Sequence, residues 1–248
     1  MAIPATYTFN PDLGEIMEEA FERAGAEFNN AAHIKSARRS LNLIALQWQN
    51  KGINLWTIEE KTITAATITK DLASYDIDID TIGILDAVIR TDSADTSLQR
   101  DLSITRMSAS TYSSISNKLT TGRPSQYWFH RNGVRSGTSG GTDVSSTVTF
   151  WPVPDTTNKY TFVYWRMRRI SDVGSSLSNT VDVPDRFIPA LVSALAYALC
   201  SKLPNSSIQE KLMMCEKLKA EQDNDWREAT EEDREKTDLR VIPDMMVY

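Results

Sequence analysis

Leu41-Asn42-Leu43-Ile44-Ala45-Leu46-Gln47-Trp48-Gln49-Asn50-Lys51-Gly52-Ile53-Asn54-Leu55-Trp56-Thr57-Ile58-Glu59-Glu60-Lys61-Thr62-Ile63-Thr64 changes its period in the middle. Up to Lys51 the apolar residues recur three and four apart, the spacing of a helix. From Ile53 they alternate, the spacing of a strand. Gly52 stands at the change, where a helix readily stops. A helical segment therefore runs straight into a β block.

Upstream, this helix extends back to about Ala31, with Ile34, Ala37, Leu41, Ala45 and Trp48 as its main stripe. Leu43, Ile44 and Leu46 add a second apolar face, more than a helix wetted on one side carries. It is expected to be central in its domain or shared with a neighbouring subunit. Arg38 and Arg39 interrupt the pattern as a solvated, ion-paired or subunit-contacting surface. An earlier helix opens at Asn10-Pro11, an N-cap followed by a first-turn proline. Leu13, Ile16, Met17, Ala20, Phe21 and Ala24 form its stripe, and Gly25 ends it.

Downstream, strands are expected at Trp56–Ile58, Lys61–Thr64, Tyr75–Asp80, Ile84–Arg90, Gln126–His130, Thr147–Trp151 and Tyr160–Ile170, with a short helix over Ser108–Leu119. Asp76, Asp78 and Asp80 alternate with Ile77 and Ile79, which predicts a strand with three carboxylates on its exposed face. The stretch from Asn132 to Ser146 is rich in Gly, Ser and Thr and reads as an exposed hairpin loop. A third helix starts near Pro184-Asp185 and runs to about Leu203, apolar almost all round from Phe187 to Leu199. Ser207 to Glu210 fits a capping box for a fourth. That helix carries Ile208, Leu212, Cys215, Gln222, Trp226 and Ala229 on one face, then turns highly charged from Glu221 and is expected to be solvated there. The last ten residues turn apolar again around Pro243, too short a stretch to build a core of its own and suited to docking.

The expected fold is α+β: a helical bundle built from N- and C-terminal helix pairs, with an inserted antiparallel β-sandwich or barrel-like block. The bundle takes residues 1–52 and 183–237, the insert 53–182, and an extended docking tail 238–248.

The 248 residues are 41% hydrophobic, ample for a core, and carry 27 Lys and Arg against 33 Asp and Glu, a net charge of −6. An acidic protein is poorly suited to gripping a phosphate backbone. Cys200 and Cys215 fall at apolar helix positions and read as buried free thiols in a reducing compartment in preference to a disulfide. The start lacks the features of a signal peptide, and Phe187–Leu199 is too short to cross a bilayer, so a soluble intracellular protein without membrane contact is expected.

Chemistry is sparse. His33 and His130 lie in segments of different type and outside any metal-binding spacing. The Asp76-Asp78-Asp80 run resembles a calcium loop but has Thr81 and Ala87 where Gly and Glu are required. Phosphate-loop and nucleophile-elbow patterns fail as well. No catalytic residue, cofactor or metal is expected. Two alternatives remain open: a virion-carried cell-wall glycosidase using paired carboxylates, and a β-sheet module binding carbohydrate or nucleic acid through Tyr127, Trp128 and Trp165. Arg166, Arg168 and Arg169 beside Trp165 read as an ion-paired or subunit-contacting face, with nucleic acid as the alternative.

Several segments, in this order, resemble the head-to-tail adaptor (connector, tail accessory or tubular) proteins of short-tailed bacteriophages. They are Asp12–Ile16 to Ala24-Gly25, Ala37–Asn42 through Trp48, Lys51–Trp56, Gly122–Tyr127, Phe150–Asp155, and Pro184–Phe187 followed by Ala190-Leu191-Val192. The resemblance covers the chain up to the fourth helix. It implies a structural virion protein at the head–tail junction, made in the host cytoplasm. It further implies a ring, in this family usually of twelve copies, with helical parts in its wall and β parts projecting. Portal protein binds one side through C-terminal segments, the next tail component (nozzle or hub) binds the other, and DNA passes through the lumen without specific binding. The candidate portal-docking residues are Trp226, Leu239, Val241, Ile242, Met245, Met246 and Tyr248. The candidate subunit contacts are Arg38, Arg39, Leu43, Leu46, Arg166 and Arg168. Burying the tail's apolar side chains would give roughly 1.5–3 kcal/mol each before ordering costs, and a ring multiplies this by avidity.

Overall fold

A computed structural model describes residues 10–28, 31–51, 55–92, 95, 97–131, 146–203 and 207–232. The chain divides into two compact units. One combines the residues up to Leu55 with those from Ile170 onward; the other is Trp56–Arg169. The architecture is mixed α and β, with five α-helices and three sheets among the described residues.

In the helical unit, α1 spans Leu13–Arg23. Its cap is Asp12, two residues beyond the expected Asn10. The Asp12 carboxylate accepts from the Glu15 amide at 2.9 Å, and Glu15 accepts from the Asp12 amide at 3.1 Å. This reciprocal box satisfies two amide donors, one more than a lone Asn cap does. The six stripe residues Leu13, Ile16, Met17, Ala20, Phe21 and Ala24 are all buried. Gly25, at φ +74°, ends the helix in a conformation that disfavours side chains.

Helix α2 spans Ala31–Lys51 as expected, burying Ala37, Ser40, Leu41, Ile44 and Trp48. Asp185–Phe187 forms a 3-10 turn, and a longer helix covers Ile188–Cys200 with Pro189 in its first turn. Ten of its thirteen residues are buried. This helix is the centre of the unit: α1, α2 and the last helix, Ile208–Glu232, each pack against it.

Two expectations change in this unit. Cys200 and Cys215 form a disulfide instead of resting as free thiols, because helix packing brings their Cα atoms to 5.9 Å, within bridging distance. The segment 170–182, assigned by sequence to the β insert, contacts the helical unit instead. Asn179 O and Leu177 O accept from the Leu13 and Gly14 amides, the first turn of α1, and Asn42 Oδ1 accepts from the Val173 amide.

The β unit holds two four-stranded sheets. The first has the order β1 (Ile58–Ile63), β10 (Thr161–Arg168), β3 (Thr81–Thr91), β4 (Arg100–Ser103), all antiparallel. The second has the order β2 (Ser74–Ile77), β8 (Ser146–Trp151), β7 (Gln126–His130), β5 (Thr105–Met107). Its β5–β7 pairing is parallel, as is the small pair β6 (Thr121-Gly122) and β9 (Val153-Pro154), so the block is not purely antiparallel. No barrel closes among the described residues. Both sheets send side chains into one core, where Phe162 of the first meets Phe150 and Tyr127 of the second at ring separations of 5.0 and 5.5 Å.

Three local readings also shift. Leu55–Thr57 is a 3-10 turn, so the first strand begins at Ile58. The helix expected over Ser108–Leu119 shrinks to α3, Ala109–Ser114, capped by the Ser108 hydroxyl. The apolar pattern that suggested more is divided between a strand at Met107 and a loop at Leu119. The strand expected to Asp80 ends at Ile77, where a turn closes through the Thr81 amide to Asp78 O. The loop read over 132–146 lies, but for Ser146, outside the described residues. The helices from Ile188 and Ile208 are α4 and α5 below.

Candidate functional site

The outer faces of the helical unit are the candidate site. Helix α2 buries one side against α4 and leaves Lys35, Arg39, Leu43 and Leu46 exposed, Leu43 at 51% and Leu46 at 43%. At about 100° per residue these four fall within one narrow arc, about 180° from Ala37, Leu41, Ile44 and Trp48. The second apolar face read from sequence therefore splits: Ile44 joins the core, and Leu43 and Leu46 do not. Arg38 is half-buried and donates to Gly174 O, which ties the 170–182 segment to α2. Arg39 is exposed.

A groove of about 520 Å³ runs between α1 and the start of α4. Ile16, Ile188, Pro189 and Val192 line its floor, and Glu15, Glu18, Glu19 and Glu22 line its rim. Arg23 pairs with Glu19 at 2.8 Å. The sequence shows one apolar stripe on α1 and an almost all-round apolar α4, and neither pattern marks a groove between them. The available signal was four glutamates at helical spacing beside the buried stripe of α1.

On α5, Ile208 and Leu212, expected to pack, are 82% and 59% exposed, while Leu218 and Ala229 are buried. Met213 is exposed too. A second groove beside it is lined by Arg23, Met213, Met214, Lys217, Leu218 and Glu221. Trp226, read as a docking residue, packs inside its own unit. Its ring lies 4.8 Å from Trp48 and 5.9 Å from Phe187, with Lys51 Nζ 4.1 Å above it. The charged end of α5 is thus anchored rather than bare. The other docking candidates, Leu239, Val241, Ile242, Met245, Met246 and Tyr248, lie outside the described residues.

In the β unit, Arg166 is only 3% exposed. Its guanidinium donates to Glu59 at 2.8 Å, to Asp80 at 2.5 Å and to Thr81 Oγ1 at 2.6 Å, and lies 3.3 Å from Asp78. Burial disfavours its charge, but the hydrogen bonds it donates to Asp80 and Glu59 outweigh that and raise its pKa. Asp78 and Asp80 are therefore partners of a buried arginine, not the free face of a strand. Arg168 is more open and sits 3.9 Å from Glu59. Close by, burial and then the Asp78 charge push the Tyr164 hydroxyl up to about 12.

The aromatics proposed as a sugar or base platform separate. Tyr127 is in the core, Trp128 points from the opposite face of the same strand between Tyr112 and His130, and Trp165 belongs to the other sheet. His33 stacks on Phe21 in the helical unit. Among the described residues no cluster has the makings of a metal site, and no helix is long and apolar enough to cross a membrane.

The family model described as SU10 adaptor protein matches residues 11–240. The chain belongs to that family. No curated protein matches it. The SU10 adaptor protein family is one of phage structural adaptors rather than enzymes, which makes this chain a virion component that works in contact with other head or tail proteins.

Proposed function

We propose that this SU10 adaptor family member joins the portal to the tail at the head–tail junction and forms part of the DNA-ejection channel. It acts as a ring of twelve copies, built in the host cytoplasm and carried in the virion. The portal sits on one side, the nozzle or hub on the other. The family match over residues 11–240 carries this reading.

Three features support it. Apolar side chains remain exposed along α2 and α5, the places where a partner would cover them. The net charge of −6 disfavours tight binding to passing DNA. The residues Leu239, Val241, Ile242, Met245, Met246 and Tyr248 form an apolar stretch suited to seating on the portal; Trp226 drops from that set because its ring serves its own unit. Arg39, Leu43, Leu46 and the partly open Arg168 remain as subunit contacts. Arg38 and Arg166 support the fold that presents them.

The test is to mix the purified chain with its portal and image the complex. A ring seated on the portal is the expected result, and removal of residues from Leu239 onward should abolish it. Normal binding by the truncated chain overturns the role of the tail.

A further inference from the structure

The geometry points to a specific pairing between copies: the α2 stripe Lys35, Arg39, Leu43 and Leu46 of one chain seats in the α1/α4 groove of the next. This rests on the ring reading and names the two surfaces that would close it.

The surfaces match in chemistry. The groove has an apolar floor of Ile16, Ile188, Pro189 and Val192 with four carboxylates along its edge, of which Glu19 is already paired with Arg23. The stripe has two exposed leucines in line with two cations. Neither Lys35 nor Arg39 makes an ion pair with another described residue. Lys35 to Leu46 spans about 16 Å of helix, about three residues more than the roughly 12 Å from Glu15 to Arg23 along the groove.

A stripe and a groove that match in this way can meet only between copies. Within one helical unit, α4 packs against both α1 and α2, and the stripe lies on the side of α2 away from its buried face. A rigid unit cannot fold that stripe into its own groove. Each chain therefore offers one stripe and one groove, different surfaces that pair head to tail. Such heterologous contacts generate closed rings when the rotation between copies permits. Opposite charge at the rim favours this register and repels stripe on stripe or rim on rim.

Charge reversal tests the pairing in the full chain. Lys35→Glu with Arg39→Glu reverses the stripe; Glu18→Arg with Glu22→Arg reverses the rim. All four positions are exposed, and the circular dichroism of each variant should match wild type. Sedimentation velocity across concentration, and the number of copies bound per portal, read assembly. Each reversal alone should raise the midpoint concentration for assembly at least tenfold, and the chain carrying both should return to within about threefold of wild type. Leu43→Asn, which changes no charge, should weaken assembly in the same assays. Reversals that assemble like wild type, or a combined chain no better than either alone, overturn the pairing while leaving the adaptor reading intact. A wild-type chain that forms neither oligomers nor ringed portals overturns the adaptor reading itself.

Discussion

The two units spend their apolar residues differently. In the β unit, aromatic and aliphatic side chains from both sheets meet in one core; of its exposed large hydrophobics, Leu72, Ile79, Leu98 and Leu119 lie on turns and loops, and two, Ile58 and Leu85, on strands. In the helical unit, the exposed ones cluster on helix faces: Leu43 with Leu46, and Ile208 with Leu212 and Met213. Scattered apolar residues are ordinary on a protein surface; clustered ones mark contact sites. The β unit is built to hold itself together, and the helical unit is built to be covered. Their fastenings differ too. The β unit is closed by a buried arginine among carboxylates, the helical unit by a disulfide between α4 and α5.

Substitutions in the β core should have the largest effect. Phe162→Ala removes a fully buried ring that touches both sheets and should cost about 3–5 kcal/mol. Chemical denaturation would show it. If the loss fell equally on the helical unit, the two would not be separate in stability. Next comes Arg166→Met. It leaves Glu59, Asp78 and Asp80 facing one another without their cation. Breaking a buried pair costs about 3–5 kcal/mol, and the one-third to one-half exposure of these carboxylates puts this case at or below the lower end.

Reduction should act on the helical unit alone. The Cys200–Cys215 bridge closes a loop of 15 residues, for which the chain-entropy estimate is about 3 kcal/mol. Thermal melts with and without reductant would measure it; an unchanged melt would mean that the bridge contributes nothing. Base should act mainly on the β unit. Burial raises the pKa values of Tyr75, Tyr127, Tyr160 and Tyr164. A raised value in the folded state stabilises below the unfolded value of about 10, and that contribution is lost as pH climbs through the folded values, about 12 for Tyr164. Tyrosine absorbance should thus rise together with loss of sheet signal above about pH 10.

The smallest effect belongs to the surface pair of Arg90 and Asp101, joined at 2.7 and 2.8 Å. Its hydrogen bond from Arg90 holds the Asp101 carboxyl below its usual range, so its contribution exists above about pH 4 and disappears in acid. Asp101→Asn should cost at most about 1 kcal/mol at neutral pH, less as salt is added.

Much of this order was legible because periodicity reports burial. The stripe of α1, the bounds of α2 and the all-round apolar α4 follow from spacing alone. What escaped depended on contacts between distant segments. The partnership of Arg166 with Glu59 joins positions 107 residues apart, and the run Asp76-Asp78-Asp80 looks like an alternating strand until a turn points two of its acids at that arginine. The parallel β5–β7 pairing has no local signature. Ile208 and Leu212 have helical spacing, yet the packing of α5 is decided further along, at Leu218, Trp226 and Ala229. The groove was hidden because the residues forming its floor, Ile16, Ile188 and Val192, do count as buried; only the relation of α1 to α4 opens a channel above them.

The most direct test of the central claim is to image intact virions by electron cryomicroscopy and fit this chain to the density. The account predicts twelve copies in a ring between the portal and the tail. Density for the chain elsewhere in the particle, or none at the head–tail junction, would contradict it.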